Sequence, residues 1–498
     1  MTSESTVVNQ SNTGTVEDHL ERAAIDRSTR LPVVFFLTSG VAWLAVSILL
    51  GVIASIKQHS PGFLDWDWLG FLNFGRVQPA FINAFVYGWC FQVGIAVAIW
   101  IMARLSRVEL KNPVTLIVAG HLWNLGVSLG VLGILAGQGY SLEFLEFPKF
   151  VWPLLFVAYS AISIWMVVMF QVRKRSDAYV AQWYIVAACF WFPWIYLTAN
   201  MMIHVLPVPG VMKSAAGAWY KSSLIYLFFV PIGLASSYFM IPKIVGRSIY
   251  SYGLSMVAFW TIAGVGAWTG LQKFLGGPLP PLLTAISGSA AILMLIPVVA
   301  IGINHFMTVR GHHGLIQYSP TLRFTFFGAI GFSVTCLVGA FNAIFGSTTS
   351  FTIAEDGFNM ISLYFFFSMM MFGAIYFILP RIVGCEWLSR RMIQLHFWPS
   401  AYGAIGLGLW LVVGGIWQGI SLEAWDSSTI SAAGTSGSFL IGKSFIWTTF
   451  ILFSNVVFVL HFLMMLFRLG RRTHEPTLLG HPQVHHAGQQ LADGGAGA

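Results

Sequence analysis

Twelve long apolar runs occupy most of the chain and leave little choice of fold. A bilayer core about 30 Å thick requires roughly 20 consecutive apolar residues for a helix to cross it. Runs of this kind predict twelve transmembrane helices, at 31–56, 79–105, 113–137, 149–173, 178–206, 217–245, 249–274, 282–308, 320–348, 357–384, 395–422 and 440–470. Backbone groups in lipid must find partners within their own segment, so we expect an all-α, polytopic membrane protein. The length and continuity of the runs exclude a transmembrane β-barrel.

The composition agrees with a single membrane domain rather than several soluble ones. Hydrophobic residues make up 57% of the 498 residues and charged residues only 9%, whereas soluble domains carry about 25% charged residues. The four cysteines, Cys90, Cys189, Cys336 and Cys385, are far apart, and no Cys-x-x-Cys pair exists. This spacing indicates neither a disulfide framework nor a zinc site. The absence of Cys-x-x-Cys-His also excludes covalent haem attachment to this chain.

The distribution of positive charge predicts the orientation. Of the 26 lysines and arginines, 19 fall on one side of the twelve predicted helices and seven on the other. Positive residues favour the cytoplasmic face, so both termini are predicted to be cytoplasmic. The net charge of +8 therefore reflects a membrane topology, with the lipid bilayer as partner and no nucleic acid.

The predicted division of the chain is simple. Residues 1–30 form a polar cytoplasmic segment, 31–470 the twelve-helix membrane domain, and 471–498 a flexible cytoplasmic tail rich in Gly, Ala, Gln and His. Histidines at the inner face are interpreted as solvated rather than metal-binding; they are His312, His313, His481, His485 and His486.

Short motifs recur in a fixed order between residues 75 and 420. They are Gly75-Arg76, Pro79 and Asn83-Ala84 in helix two; Trp219-Tyr220 and Ile241-Pro242-Lys243 in helix six; Tyr250-Ser251-Tyr252-Gly253 in helix seven; Pro320-Thr321-Leu322-Arg323 in helix nine; Leu379-Pro380-Arg381 in helix ten; and His396-Phe397-Trp398 and Gly415-Ile416-Trp417 in helix eleven. Together they resemble subunit I of the haem–copper oxidase superfamily, especially the cbb-type cytochrome c oxidases and the related nitric oxide reductases. The resemblance implies the twelve-helix arrangement of that subunit in a bacterial inner membrane.

The resemblance also implies two haems of b type and a copper ion held by six histidines. By the resemblance, and counting from the nearest matching motif, the two ligands of the low-spin haem correspond to Phe81, two residues after Pro79, and to Met360. The high-spin haem position falls on Phe358. Phenylalanine cannot coordinate iron. A methionine sulfur is able to do so, but Met360 would face Phe81, and we interpret it as core packing.

The copper positions carried across by the resemblance are also without histidine. They fall on Ser222, two residues after the Trp-Tyr pair of helix six, and on Gln272 and Lys273 in helix seven. The redox-active tyrosine of the family falls on Gly266. Ser222 and Gln272 are poor copper ligands, and Lys273 adds a positive charge where the family binds a cation. We therefore expect no metal and no haem in this chain.

Two lysines near the outer ends of helices six and seven are unusual for a membrane domain. Lys221 and Lys273 are interpreted either as reaching to the membrane surface or as pairing with Glu355 or Asp356 in a charged remnant of the metal cavity. A rebuilt bis-histidine haem site is a weaker alternative, and its candidates are His121, His204, His305, His396 and His461.

Three functions remain as hypotheses. The first is a subunit I relative without metal-based catalysis, serving as a component of a respiratory or redox complex beside a cytochrome c-bearing membrane subunit. The second is an active cytochrome c oxidase or nitric oxide reductase whose cofactors use unrecognised ligands. The third is an ion or small-molecule carrier that uses the vacated cavity, Lys221 and Lys273.

Overall fold

The computed structural model describes residues 4–423 and 427–471. Within these ranges twelve helices are long and apolar enough to cross a membrane: α1 (Leu20–Gln58), α2 (Phe74–Ser106), α3 (Pro113–Leu135), α4 (Trp152–Gln171), α5 (Val180–Val205), α6 (Gly210–Val245), α7 (Tyr252–Phe274), α8 (Pro281–Val309), α9 (Pro320–Ile344), α10 (Ala354–Val383), α11 (Arg390–Glu423) and α12 (Ser444–Leu466). No strand occurs among them. The prediction of an all-α protein with twelve spans is confirmed, whereas most of the tail predicted at 471–498 lies outside the described residues.

Several boundaries differ from the predicted ones for identifiable reasons. The helix that contains α1 runs without interruption from Glu4 to His59, so the residues from Glu4 onward in the segment predicted at 1–30 are helical and continuous with the first span. Its acidic residues meet the loops that follow α2 and α4, as in the pairs of Arg107 with Asp18 and of Lys174 with Glu21. Helix α5 continues through Pro193 to Asn200 and ends in a π-helical turn at Met201–Val205.

Three helices form the centre of the molecule. In the most apolar stretch of α2, 94% of the residues are buried, and in α6 and α10 all of them are, against 28–56% in the other nine spans. Aromatic side chains fill the space between them. Phe91 of α2 stacks on Phe228 of α6 with centroids 4.1 Å apart, and Phe229 of α6 lies 4.7 Å from Phe367 of α10.

Each central helix also contains a π-helical turn in its buried part. These turns cover Ala84–Cys90 in α2, Ile225–Phe229 in α6 and Ile361–Ser368 in α10. Such turns are rare and frequently lie at functional sites. Each begins three residues after a position that the resemblance assigns to a metal ligand, namely Phe81, Ser222 and Phe358. The irregular backbone therefore marks the region where function should be sought.

Candidate functional site

The N-terminal ends of α6 and α10 and the C-terminal end of α7 meet the loop between α3 and α4 and bring five charged or polar side chains together. Lys221 of α6 contributes an ammonium group whose side chain is only 9% exposed. Its Nζ lies 2.5 Å from Oε2 of Glu143, which comes from the loop, and 3.3 Å from Oε2 of Glu355. The same Glu355 oxygen lies 3.3 Å from Nζ of Lys273. Asn359 of α10 donates to the other oxygen of Glu143. We call Glu143, Lys221, Lys273, Glu355 and Asn359 the charged cluster.

Both lysines of the charged cluster lie beside a carboxylate, as the pairing interpretation expects. Nζ of Lys221 lies near two carboxylates, those of Glu143 and Glu355. Lys273, a quarter exposed, also lies against the rings of Phe274 and Phe351. Asp356 is exposed and forms no ion pair within 4 Å in the described ranges. Glu143 was not predicted as a partner, because nothing in its own sequence context indicates that its loop folds onto α6.

The end of α7 explains how Lys273 reaches Glu355. The regular helix stops at Val265, Gly266 opens a short 3₁₀ turn, and Thr269 is extended. Gly270 has φ +108°, and a Cβ there would lie 2.6 Å from the carbonyl oxygen of Ala218 in α6. Only glycine is suited to this combination of left-handed backbone and close approach. The span predicted at 249–274 therefore agrees with Tyr252–Phe274, but its last turns are 3₁₀ and extended rather than α-helical.

The three positions assigned to copper have their polar groups bonded to other protein groups. Ser222 shares a hydrogen bond of 2.7 Å with the hydroxyl of Thr269. The carbonyl oxygen of the Gln272 side chain accepts from Ser287 Oγ at 2.6 Å and from the amide of Gly270 at 2.7 Å. Lys273 is paired with Glu355 as described above. Hydroxyl, amide and ammonium groups engaged in this way do not fit a copper ion, which prefers imidazole.

The side chains at the positions assigned to haem ligands pack among other hydrophobic side chains. The ring of Phe81 lies against α1, so that a Cβ on Gly51 would approach it to 3.0 Å. A Cβ on Gly339 of α9 would lie 3.5 Å from the ring of Phe358. Phe81, Phe358 and Met360 are all partly buried and pack on the main hydrophobic core. Two phenylalanines and one core methionine do not fit the axial coordination of two haems.

The five intramembrane histidines do not gather into one site. His121 meets Phe35 edge to face, His204 lies beside Tyr140, and His305 approaches Ser237 at 3.4 Å. His396 and His461 are nearer to each other, since both rings contact Tyr376. His396 shares a hydrogen bond of 2.9 Å with the Tyr376 hydroxyl. In the part of the chain that the structure describes, no group of three or more His, Cys, Asp or Glu side chains could hold a metal ion.

A second carboxylate beside the charged cluster also escaped the sequence analysis. Glu146 lies in the loop between α3 and α4, is 7% exposed, and accepts a hydrogen bond of 2.8 Å from the Asn83 amide of α2. Burial raises the pKa of this carboxyl to about 8, although the bond from Asn83 acts in the opposite direction. Beside it, the hydroxyls of Tyr87 and Tyr220 lie 2.7 Å apart, and the Tyr87 hydroxyl lies 2.6 Å from the carbonyl of Phe144. The loop is thus fixed onto α2 and α6 by polar contacts.

Glu146 should make the stability of the protein fall as the pH rises. The folded chain holds the Glu146 proton up to about pH 8, whereas the unfolded chain releases it near the ordinary value of 4.5. The stabilisation is complete below the lower value and is lost as the pH rises to the upper one, at up to about 1.4 kcal/mol per pH unit. We expect Glu146→Gln to flatten the melting temperature measured in detergent between pH 5 and 8. The exposed Glu109→Gln is the control, and parallel curves for Glu146→Gln and the wild type would contradict the assignment.

Loss of Lys221 should destabilise the protein more than loss of a surface lysine. Lys221→Met leaves Glu143 and part of the Glu355 charge uncompensated, which should cost about 2 kcal/mol or more. Lys174→Met is the matched control, because Lys174 is 62% exposed and also pairs with a glutamate, Glu21; it should cost less than about 1 kcal/mol.

The double variant Lys221→Met/Glu143→Gln tests whether the two side chains act as a pair. We expect it to be more stable than the sum of the two single variants allows, by about 1 kcal/mol. Chemical or thermal unfolding in detergent gives the comparison. Equal effects of Lys221→Met and Lys174→Met would show that the charged cluster contributes no stability.

Comparisons with known proteins place the chain in a family. Residues 32–440 match the family model described as Cytochrome C and Quinol oxidase polypeptide I. The chain is 25% identical over 407 residues to a cytochrome c oxidase subunit 1 homolog of Agrobacterium tumefaciens, covering 78% of this chain and 73% of that protein. It is also 25% identical over 409 residues to the cbb3-type cytochrome c oxidase subunit CcoN1 of Stutzerimonas stutzeri, covering 78% of this chain and 84% of that one. With its twelve apolar helices, this multi-pass membrane protein belongs to the subunit I family of the haem–copper oxidases.

Proposed function

We propose that this chain is a subunit I relative that has lost metal-based catalysis and serves as a structural membrane component of a redox complex. The observation that carries the proposal is which side chains occupy the six assigned ligand positions and which protein groups they contact. None is histidine, the three assigned to copper are bonded to Thr269, Ser287 and Glu355, and the three assigned to haem pack in the core.

The charged cluster gives this proposal a physical basis. A metal centre supplies positive charge that surrounding carboxylates balance. In this chain the ammonium groups of Lys221 and Lys273 supply positive charge to Glu143 and Glu355. The outer ends of α6, α7 and α10 are thereby joined without a cofactor. A scaffold held in this way keeps its outer shape, which is what a neighbouring subunit recognises.

The partner that we propose is a membrane subunit that bears cytochrome c. The relatives named above are subunits of cytochrome c oxidases, and docking of such a subunit does not require metals inside the bundle. This chain would then position the partner in a bacterial inner membrane. The division into residues 1–30, 31–470 and 471–498 belongs to the same proposal, with both terminal segments in the cytoplasm.

Cofactor analysis of the purified protein tests the loss of catalysis. The protein is extracted in mild detergent beside the S. stutzeri cbb3-type oxidase as the reference preparation. Haem extractable by acidic acetone is separated from covalently bound haem, and copper is measured by mass spectrometry. We expect neither extractable haem nor copper above the background of a mock preparation, and co-purification of covalent haem on a second subunit.

Two results would contradict this proposal in different ways. Stoichiometric extractable haem and copper would establish the second hypothesis, an active oxidase or reductase with other ligands. A colourless preparation without a second subunit would contradict the structural role and favour the carrier, for which uptake into proteoliposomes then becomes the assay.

Reporter fusions test the proposed orientation. Green fluorescent protein fused after residue 471 should fluoresce, because this reporter becomes fluorescent in the cytoplasm but not after translocation through the general secretion route. Alkaline phosphatase fused after Gly276, in the connection between α7 and α8, should be active, because it requires the oxidising side of the membrane. The reversed pattern would overturn the assignment of the 19 positive residues to the cytoplasmic face.

A further inference from the structure

A basic cavity lies where the C-terminal ends of α6 and α8 meet the N-terminal end of α7, at the end of the bundle opposite to the charged cluster; this end is cytoplasmic on the orientation proposed above, on which the inference rests. Its volume is about 660 Å³. Two arginines line it, Arg247 from the connection between α6 and α7 and Arg310 from the end of α8. The lining also includes Ser248, Tyr250, Met307 and Thr308. The cavity takes no part in the function proposed above.

The positive charge of this cavity is uncompensated. Neither Arg247 nor Arg310 has a carboxylate within 4 Å in the described parts of the chain. Arg247 donates one hydrogen bond of 3.1 Å, from Nη1 to the carbonyl oxygen of Arg310. A guanidinium group has five N–H donors in a planar fork, so Arg247 retains donors for a ligand. Arg247 and Arg310 line the same cavity, and guanidinium donors match the oxygens of a phosphate ester.

The cavity is also rigid, because the connection that carries Arg247 is bonded to α8. The amide of Tyr250 donates to Thr308 Oγ1 at 3.1 Å, and the amide of Ser251 donates to Asn304 Oδ1 at 3.0 Å. The Asn304 amide in turn donates to the carbonyl of Ser251 at 2.9 Å. A site whose backbone is fixed in advance loses little conformational entropy when a ligand binds.

The surfaces beside the cavity indicate where the ligand comes from. Tyr250 is 56% exposed and Tyr252 is 47% exposed, and on α8 Phe306 and Ile303 are 53% and 45% exposed. Exposed apolar and aromatic side chains at this depth face lipid, and tyrosines are typical of the interface. A ligand with a phosphate group and acyl chains satisfies both the arginines and these surfaces, whereas a soluble phosphate ester satisfies only the arginines.

We propose that this cavity binds an anionic phospholipid of the cytoplasmic leaflet, with its phosphate group between Arg247 and Arg310 and its acyl chains along α7 and α8. Basic pockets between transmembrane helices on the cytoplasmic side are suited to such headgroups. The lipid would then belong to the protein as a bound component rather than as bulk solvent.

Native mass spectrometry of the full chain tests this site. The protein is delipidated in detergent and titrated with phosphatidylglycerol or with phosphatidylcholine of the same acyl chains. The variant Arg247→Gln/Arg310→Gln removes the two cavity charges. The matched control Arg390→Gln/Arg391→Gln removes two exposed charges from the same face, at the start of α11. A further titration uses glycerol 3-phosphate as a soluble phosphate ester.

We expect the wild type to retain phosphatidylglycerol in preference to phosphatidylcholine. The cavity variant should bind phosphatidylglycerol about tenfold more weakly, while the control variant stays within about twofold of the wild type. Equal binding of the two lipids, or equal losses in the two variants, would overturn the proposal. Displacement of phosphatidylglycerol by millimolar glycerol 3-phosphate would also overturn it, by assigning the cavity to a soluble ligand.

Discussion

An ammonium group inside a membrane domain is stable only where carboxylates approach it, because removal of each charge from water costs several kcal/mol. Lys221 of α6 is such a group, because its side chain is only 9% exposed. Glu355 of α10 and Glu143 of the loop between α3 and α4 provide the carboxylates that pair with it. Lys273 can then approach the same carboxylate, which fixes the irregular end of α7. Four separate segments of the chain are thereby tied to one another by a single set of charges.

The backbone of the three central helices supplies a second constraint. Their π-helical turns at Ala84–Cys90, Ile225–Phe229 and Ile361–Ser368 lie in the most buried part of the bundle. A turn of this kind inserts one residue and rotates the later part of the helix relative to the earlier part. The aromatic residues that join the helices, such as Phe228 and Phe367, lie within these turns. Backbone irregularity and aromatic filling are therefore two aspects of the same packing arrangement.

Hydropathy was sufficient to predict the number and class of the helices, because the bilayer fixes both the length and the internal bonding of each span. It was insufficient where tertiary contact decides the local structure. Pro193 reads as an interruption, yet α5 continues through it, since neighbouring helices support the backbone there. The end of α7 depends on the approach of Gly270 to Ala218, a contact between distant residues.

The charged cluster likewise combines residues that the sequence could indicate with residues that it could not. Glu355 could be named from the sequence because family geometry brings helices six, seven and ten together. Glu143 and Glu146 could not, because residues in a loop have no periodicity that would indicate which helix they touch. Asp356, adjacent in sequence to Glu355, forms no ion pair within the described residues, although its charge acts on Lys221. One position along a helix rotates a side chain by about 100°, and of the two acids only Glu355 comes within 4 Å of a lysine.

The shape of the α7 terminus bears on whether the loss of metal ligands could be reversed. Histidines placed at positions 272 and 273 would stand on the 3₁₀ turn Leu271–Phe274, held by Ser287 and Glu355, because the regular helix ends at Val265. On the proposed assignment, recovery of the copper ligands would therefore involve the backbone of this segment and its polar contacts as well as the side chains themselves.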